Sequence, residues 1–100
     1  MNWYDRQGKP LTCIREIERL LTDISYKRIA ETTLPDGKWV STVWLGLDHG
    51  LGIGRPQIFE TMVFPVRGSG EDLDCKRYVT EAEALEGHSR MVCKWEIGEE

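Results

Sequence analysis

Two apolar segments separated by a glycine-rich link constrain the fold of this chain more than any other feature. They are KWVSTVWLGL at 38–47 and QIFETMVFPV at 57–66, and both are rich in β-branched and aromatic residues, which favour strands. In the first segment both alternating sets of residues are mostly apolar, which predicts a central strand covered on both faces. Because a glycine-rich link joins the two, the simplest topology is a hairpin with a long loop at its tip.

The remaining strand signals lie on either side of this hairpin. NWYDRQGKPL at 2–11 predicts a short hairpin in which Gly8 closes the turn, and SYKRIAETTL at 25–34 predicts a strand. PDG at 35–37 predicts a turn because proline presets one φ angle and glycine supplies the other. LDCKRYV at 73–79 predicts a further short strand.

Two helices are predicted from amphipathic spacing and capping residues. The first covers about residues 13–22 with Thr12 as its N-cap, and the second covers TEAEALEGHSRMVCKW, where Thr80 and Glu83 form a capping box. The apolar stripe of the second helix comprises Leu85, His88, Val92 and Trp95, with Ala84 and Met91 beside it.

The sequence therefore predicts a single small α+β domain over residues 1–100, with an antiparallel sheet of about four strands and two helices packed on it. If the helices share one face of the sheet, the other face needs cover. A partner subunit is the natural supplier, so we expect a homo-oligomer.

Composition and charge exclude several classes of protein. The 100 residues hold 13 Lys and Arg against 17 Asp and Glu, a net charge of −4, which argues against a general nucleic-acid binder but is compatible with a local basic pocket. No apolar run approaches the ~20 residues of a membrane span, and the chain opens polar, without a signal peptide.

The cysteines indicate a reducing compartment rather than disulfides. The chain has three cysteines, an odd number, and no two of them stand at CxxC spacing: Cys13, Cys75 and Cys93. We therefore expect reduced thiols in a cytosol. Cys75 and Cys93 are expected to be buried and inert. The ligand pattern of a zinc site is absent. No metal and no cofactor are expected.

The link LDHGLGIGRPQIFE at 47–60 holds most of the candidate site residues. Asp48 and His49 suggest either an acid–histidine pair or a plain loop start, and adjacent strand residues point to opposite faces, so they form no dyad by themselves. GLGIG at 50–54 precedes Pro56 and a strand, which is the wrong context for a dinucleotide fingerprint or a P-loop. The successive N–H groups of these glycines could form an anion nest, with Arg55 clamping a phosphate. Alternatively, the glycines make only a flexible loop.

Other polar and aromatic residues have both structural and functional interpretations. Glu60 lies inside an apolar strand, where a carboxylate must face solvent, pair with an arginine such as Arg28, or bind a ligand hydroxyl. His88 is interpreted as a hydrogen-bonded core histidine, and Gly87 as a position of close packing.

The aromatic side chains of Trp44, Trp39 and Tyr78 suit base stacking, although aromatics in small domains are usually core. The Lys-Arg pairs at 27–28 and 76–77 are predicted to be solvated strand edges.

Several segments recur together in a known family. VSTVWLGLDHG, IFETMVF, LDCKRYVTEAEAL and GHSRMVCKW, with the opening WYDRQG, resemble a family of small uncharacterised bacteriophage and prophage proteins over nearly the whole chain. The resemblance implies an accessory phage protein that works in the host bacterial cytoplasm. The family pattern retains Asp48, His49, Glu60, Gly87, His88 and Trp95. It assigns no catalytic role to any of them.

Accessory phage proteins of this size often counter host immunity, and this gives the main hypothesis by analogy. Small oligomeric sponges directed against Thoeris and CBASS defence hold a nucleotide signal in pockets between subunits. Such a pocket needs a cation for phosphate, acceptors for ribose hydroxyls and a slot for a base. The residues proposed to bind it are Trp44, Asp48, His49, Gly52, Gly54, Arg55, Glu60 and Tyr78.

The sequence thus predicts a non-catalytic sponge for a cyclic ADP-ribose-type or cyclic oligonucleotide signal. One alternative is a protein-directed inhibitor of a host defence effector such as a CRISPR nuclease. A second alternative is an enzyme that degrades the signal with His49 as its base.

Overall fold

The computed structural model describes residues 2–50 and 54–97, and these residues form a mixed α+β structure. A four-stranded antiparallel sheet is accompanied by a two-stranded hairpin and three helices. In chain order the elements are β1 (Trp3–Tyr4), β2 (Pro10–Leu11), α1 (Ile14–Leu21), α2 (Ile24–Lys27), β3 (Arg28–Thr33), β4 (Trp39–Trp44), β5 (Phe59–Phe64), β6 (Asp74–Tyr78) and α3 (Glu81–Glu96). The predicted fold class is confirmed.

The two apolar segments form the centre of the sheet as an antiparallel hairpin, β4 and β5, in agreement with the sequence prediction. Trp44 lies opposite Phe59 at the loop end of the hairpin, and Trp39 lies opposite Phe64 at the other end. The glycine-rich link therefore projects from one end of the sheet.

The strands follow one another across the sheet in the order β3-β4-β5-β6, so each pairs with its neighbour in sequence. The edge strands are β3 and β6. Arg28, Lys76 and Arg77 are exposed on them, and such charges oppose edge-to-edge association. The predicted solvated strand edge is wrong at Lys27, which is half-buried and ends the short helix α2.

One face of the sheet carries the core. Residues of β4 and β5 that point to this face lie opposite one another and are fully buried: Val40 and Val63, Thr42 and Thr61, Trp44 and Phe59. Helix α3 crosses this face and contacts all four strands. It contributes Ala84, Met91 and Trp95 to the buried set, and burial of these side chains against the sheet stabilises the fold.

The opposite face is covered less completely. Ser41, Val43 and Met62 are half-buried there. Part of the cover comes from Arg67, whose guanidinium carbon lies 4.9 Å from the centre of the Trp39 ring. β4 is therefore central, as predicted, but within the described residues only one of its faces is fully covered.

Helix α3 begins where the sequence predicts. The Thr80 side chain accepts a hydrogen bond from the Glu83 N–H at 3.1 Å, and the Glu83 carboxylate accepts one from the Thr80 N–H at 3.2 Å. The predicted stripe is wrong at Leu85, which is 45% exposed. Gly87 is buried instead, and a Cβ there would lie 2.2 Å from Cζ of Tyr78, which confirms close packing at this glycine.

A chain of polar side chains lies beneath α3. His88 contacts the hydroxyl oxygen of Thr42 through Nδ1 at 2.7 Å and that of Thr32 through Nε2 at 2.9 Å, and Thr42 contacts Thr61 at 2.5 Å. Burial lowers the pKa of His88, because the charged form is poorly solvated there. The prediction of a hydrogen-bonded core histidine is confirmed.

The first part of the chain corrects one predicted cap. Gly8 closes the β1–β2 turn with φ 85°, as predicted, and α1 lies within the predicted range. Thr12, however, is wrong as the N-cap, because the N-cap is Cys13 and no side chain caps it. The hydroxyl lies one residue too early in the chain to reach the free N–H groups of the first turn.

The predicted strand from residue 25 is also corrected at its start. Residues 25–27 belong to the short helix α2, where Asp23 accepts a hydrogen bond from the Tyr26 N–H at 3.1 Å. Tyr26 then packs edge-on against Trp44, with 5.0 Å between ring centroids. Leu20 of α1 lies in the same buried cluster as Trp44 and Ala84, so the helices share one face of the sheet.

Candidate functional site

Asp48 joins the two ends of the glycine-rich link. Its Oδ1 accepts hydrogen bonds from the N–H of Gly50 at 2.8 Å and of Gln57 at 3.0 Å. These bonds, above all the one from Gln57, lower the pKa of the carboxyl group. The arrangement is an Asx-type loop start, so the carboxylate accepts hydrogen bonds from the loop backbone and holds the two ends of the loop together.

His49 forms no acid–base pair with Asp48. Its Nδ1 lies 2.8 Å from the Leu47 carbonyl oxygen and must donate to it, since a carbonyl only accepts. Its backbone N–H donates to the Gln57 carbonyl at 3.1 Å. The Asp48 carboxylate meets only backbone donors among the described residues, so the geometry of a general base oriented by an acid is not formed.

Arg55 lies at a cavity of about 200 Å³. The turn of the β1–β2 hairpin, the Arg55–Pro56 segment and the residues just before α3 form its walls. Gly54, with φ 73°, immediately precedes Arg55. Arg55 is exposed and has no ion-pair partner within residues 2–50 and 54–97. This part of the loop therefore borders a hollow, and its cation is available to a ligand.

A second arginine of this cavity is already paired. Arg6 donates from Nε to Oε1 of Glu81 at 2.8 Å and from Nη2 to Oε2 at 2.6 Å, and its Nη1 donates to the Tyr26 carbonyl at 3.2 Å. The hydrogen bond with Glu81 raises the pKa of Arg6, and the same bond lowers the pKa of Glu81. This two-pronged contact holds the hairpin against the start of α3 and leaves Arg55 as the unpaired cation.

The two aromatic candidates lie in the core. Trp44 is fully buried, and its Nε1 donates to the Tyr4 carbonyl at 2.9 Å. Tyr78 is 8% exposed, and its buried hydroxyl has no hydrogen-bond partner among the described residues. Both belong to the cluster around Phe59. Neither ring offers an open face for stacking in this arrangement of the chain.

Glu60 lies on the opposite face of the sheet. It is directly across from Arg77 in the register, and its Oε2 accepts a hydrogen bond from Arg77 Nε at 3.0 Å. The partner is therefore Arg77 and not Arg28, which bonds Glu31 instead. Because the Glu60 side chain is only 9% exposed, this ion pair offsets the cost of burying a carboxylate.

The predicted site residues are thus spread over the molecule. Arg55 lines the cavity and Gly54 only precedes it in the chain. Asp48 and His49 hold the base of the loop, and Gly52 lies outside the described residues. The aromatic candidates and Glu60 lie on opposite faces of the sheet. Sequence reasoning missed Arg6 and Glu81, which are separated by 75 residues and carry no local pattern that links them.

The predicted burial of the cysteines is wrong. Cys13, Cys75 and Cys93 are all exposed and unpaired, because edge strand β6 and the outer side of α3 point the latter two away from the core. Partial desolvation and a hydrogen bond to Glu60 raise the pKa of Cys75 to about 11. Its thiol therefore stays protonated near neutral pH, which makes it a poor nucleophile.

Within the described ranges, no three His, Cys, Asp or Glu side chains come together as a metal site. Those ranges also contain no helix with both the length and the apolar character that a membrane crossing requires.

Comparison with known proteins gives no relative. No protein-family model, no curated protein and no solved structure matches this chain. The resemblance to small phage proteins therefore stays a prediction that rests on the sequence segments alone.

Proposed function

We propose that this chain is a phage-encoded, non-catalytic protein that sequesters a small anionic ligand of nucleotide type in the host bacterial cytoplasm. The ligand class is a cyclic ADP-ribose-type or cyclic oligonucleotide immune signal. The observation that carries the proposal is the position of Arg55, exposed and unpaired among the described residues, at a cavity beside the glycine-rich link. A guanidinium in such a place binds phosphate through two parallel hydrogen bonds.

The size of the cavity supports an oligomeric site. At about 200 Å³ it is smaller than the roughly 300–1,000 Å³ of most small-molecule sites, so it admits a phosphate group but not a complete cyclic nucleotide. A second copy of the chain then supplies the surface for the base and ribose. A homo-oligomer is accordingly part of the proposal.

The proposed absence of turnover is supported by the use of the polar groups at the base of the loop. The Asp48 carboxylate is occupied by two backbone N–H groups, and His49 Nδ1 by a carbonyl. Binding without chemistry requires no activated nucleophile, and the cavity is lined by none of the three cysteines.

Thermal shift with a nucleotide panel tests the proposal. We expect one of the cyclic dinucleotides, cyclic trinucleotides or ADP-ribose isomers to raise Tm by several degrees, since a ligand at about a hundredfold excess over Kd stabilises by about 2.7 kcal/mol. Arg55→Ala should abolish the shift. Arg15→Ala, an exposed arginine of α1, is the matched control and should keep it.

The same samples separate the alternatives. A flat response to the whole panel, or an Arg55→Ala variant that responds like the parent, would overturn the proposal. Chromatography of ligand released by heat should recover it intact, whereas a processed product would favour the enzyme with His49 as base. A stoichiometric protein partner without any nucleotide response would favour the protein-directed inhibitor.

A further inference from the structure

The cavity at Arg55 has two arginines in its wall but only one uncompensated positive charge. Among the described residues that line it, Arg6 and Arg55 are the ones that carry a charge. Glu81 lies beside the wall and cancels the charge of Arg6, whereas Arg55 pairs with no acid in the described part of the chain. The carboxylate of Glu81 therefore sets the net charge that the cavity presents to a ligand.

The ion pair of Arg6 with Glu81 is partly removed from solvent. The two side chains are 23% and 31% exposed, so water and salt screen their charges less than those of a surface pair. Their hydrogen bond raises the pKa of Arg6 and lowers the pKa of Glu81. Both groups therefore remain charged near neutral pH and compensate each other, which leaves one full positive charge, that of Arg55, for a ligand.

The rest of the wall cannot neutralise further negative charge. Pro56, Ile58 and Val79 contribute apolar surface, and Ile58 is fully buried. Gln7 and Thr80 add neutral polar groups, which can hydrogen-bond a phosphate oxygen but cannot balance its charge. A second negative charge in this cavity would lose part of its hydration without gaining a counter-charge, and that is unfavourable.

We propose that Glu81 makes the cavity selective for a phosphodiester, which carries a single negative charge, over a pyrophosphate or a phosphomonoester. The inference rests on the proposed nucleotide-binding function and narrows its ligand to a cyclic oligonucleotide, in which every phosphate is a diester. The pyrophosphate of an ADP-ribose-type signal carries two adjacent negative charges, and a phosphomonoester carries about −1.5 to −2 at pH 7. The one uncompensated guanidinium, that of Arg55, matches neither of them.

Matched pairs of ligands test the selectivity. Cyclic di-AMP and cyclic di-GMP contain only phosphodiesters, whereas the linear dinucleotides pApA and pGpG contain the same bases and a terminal phosphomonoester. ADP-ribose provides the pyrophosphate. With isothermal titration calorimetry at low ionic strength, we expect at least one cyclic dinucleotide to bind at least about tenfold more tightly than its linear form and than ADP-ribose.

Glu81→Gln tests whether this carboxylate sets the selectivity. Glutamine keeps the length of the side chain and an oxygen that accepts a hydrogen bond from Arg6, but it does not cancel the charge of Arg6. We expect the affinity for ADP-ribose and for the linear dinucleotide to rise by at least about fivefold relative to that for the cyclic form. A purely structural role of Glu81 would weaken all ligands alike and leave this ratio unchanged.

Glu86→Gln is the matched control, because it removes the same charge from the same helix. Glu86 also pairs with an arginine, Arg90, but it is exposed and does not line the cavity at Arg55. We expect this variant to keep the preference of the unmodified protein for the cyclic dinucleotide. Circular dichroism melts of both variants show whether each remains folded.

The outcomes separate this inference from the proposed function. If ADP-ribose binds and Arg55→Ala abolishes its binding, while neither cyclic dinucleotide binds, the protein sequesters a nucleotide but the selectivity proposed for Glu81 is wrong. An unchanged ratio of affinities in Glu81→Gln, or an equal change in Glu86→Gln, would also overturn the inference. If none of the five ligands binds, both proposals are wrong.

Discussion

The contact between Gly87 and Tyr78 fixes how closely α3 approaches β6. Replacing Gly87 by alanine favours the helix by about 1 kcal/mol, but the new Cβ would lie 2.2 Å from atoms of a buried ring. Overpacking of this kind typically costs about 1–3 kcal/mol. We therefore expect Gly87→Ala to lower the free energy of unfolding despite its better helix propensity, as measured by urea denaturation.

Gly70→Ala is the matched control for this prediction. A Cβ at Gly70 has no neighbour within 4 Å, and this glycine lies in an exposed linker. We expect a change within about 0.5 kcal/mol. Equal stability of the two variants would show that α3 does not depend on a glycine at position 87.

At the scale of single residues, the sequence predicted roles better than partners. The core role of His88 followed from its position on the apolar stripe of a helix, and close packing at Gly87 followed from a glycine standing inside that helix. The partner of Glu60 did not follow, because choosing Arg77 over Arg28 requires the strand register. Hydrogen bonds between distant residues, such as those of Arg6 with Glu81, leave no trace in local spacing.

At the scale of elements, the two threonines predicted as caps give a direct comparison. Thr80 caps α3 through its side chain, whereas Thr12 precedes the uncapped N-cap Cys13. We expect Thr80→Ala to cost about 1 kcal/mol of stability and Thr12→Ala to be nearly neutral. Urea denaturation of both variants measures the difference. A larger loss for Thr12→Ala would contradict the cap assignment in α1.

Elements with long and regular patterns were predictable, and short ones were not. The β4–β5 hairpin and α3 each repeat one periodicity over many residues, so the pattern outweighs local exceptions. Helix α2 has only four residues, and its start depends on one capping bond at Asp23. β-branched and aromatic residues around it favoured a strand, but the local cap and the packing of Tyr26 on Trp44 decided the structure.

The candidate site was predictable only in part for the same reason. The glycine-rich link could be recognised as a long loop, and Arg55 does border a cavity. The other side of that cavity comes from the β1–β2 turn and the start of α3, which are distant in sequence.

At the scale of the whole molecule, burial of His88 beneath α3 makes stability depend on pH. Its pKa in the folded state lies below the ordinary value of 6.5. As pH falls below about 6.5, the imidazole therefore takes up a proton in the unfolded chain while it stays neutral in the folded chain. The contribution of neutral His88 to the free energy of unfolding is complete at neutral pH and declines in acid. Asp48, Asp74 and Glu81 have lowered pKa values too, but their loss begins only near their ordinary values of 3.8 and 4.5.

The pH effect has a specific test. We expect the free energy of unfolding to fall between about pH 7 and about pH 5, and His88→Gln to reduce that slope because glutamine does not titrate. Glutamine retains donor and acceptor capacity for the threonine hydroxyls. Urea denaturation at several pH values gives both slopes. An unchanged slope in the variant would assign the acid sensitivity to other groups.

The order of elements along the chain has a consequence for biosynthesis. Every strand of the main sheet precedes α3, which contacts all four strands on the apolar face. A ribosome therefore releases the sheet before the segment that shields it, and a product truncated ahead of residue 81 would present to water Val40 and Val63, which pack with Met91 and Trp95 of α3. Such fragments are expected to aggregate and to be degraded quickly in a cell, because part of the apolar face of the sheet stays uncovered until α3 has been made.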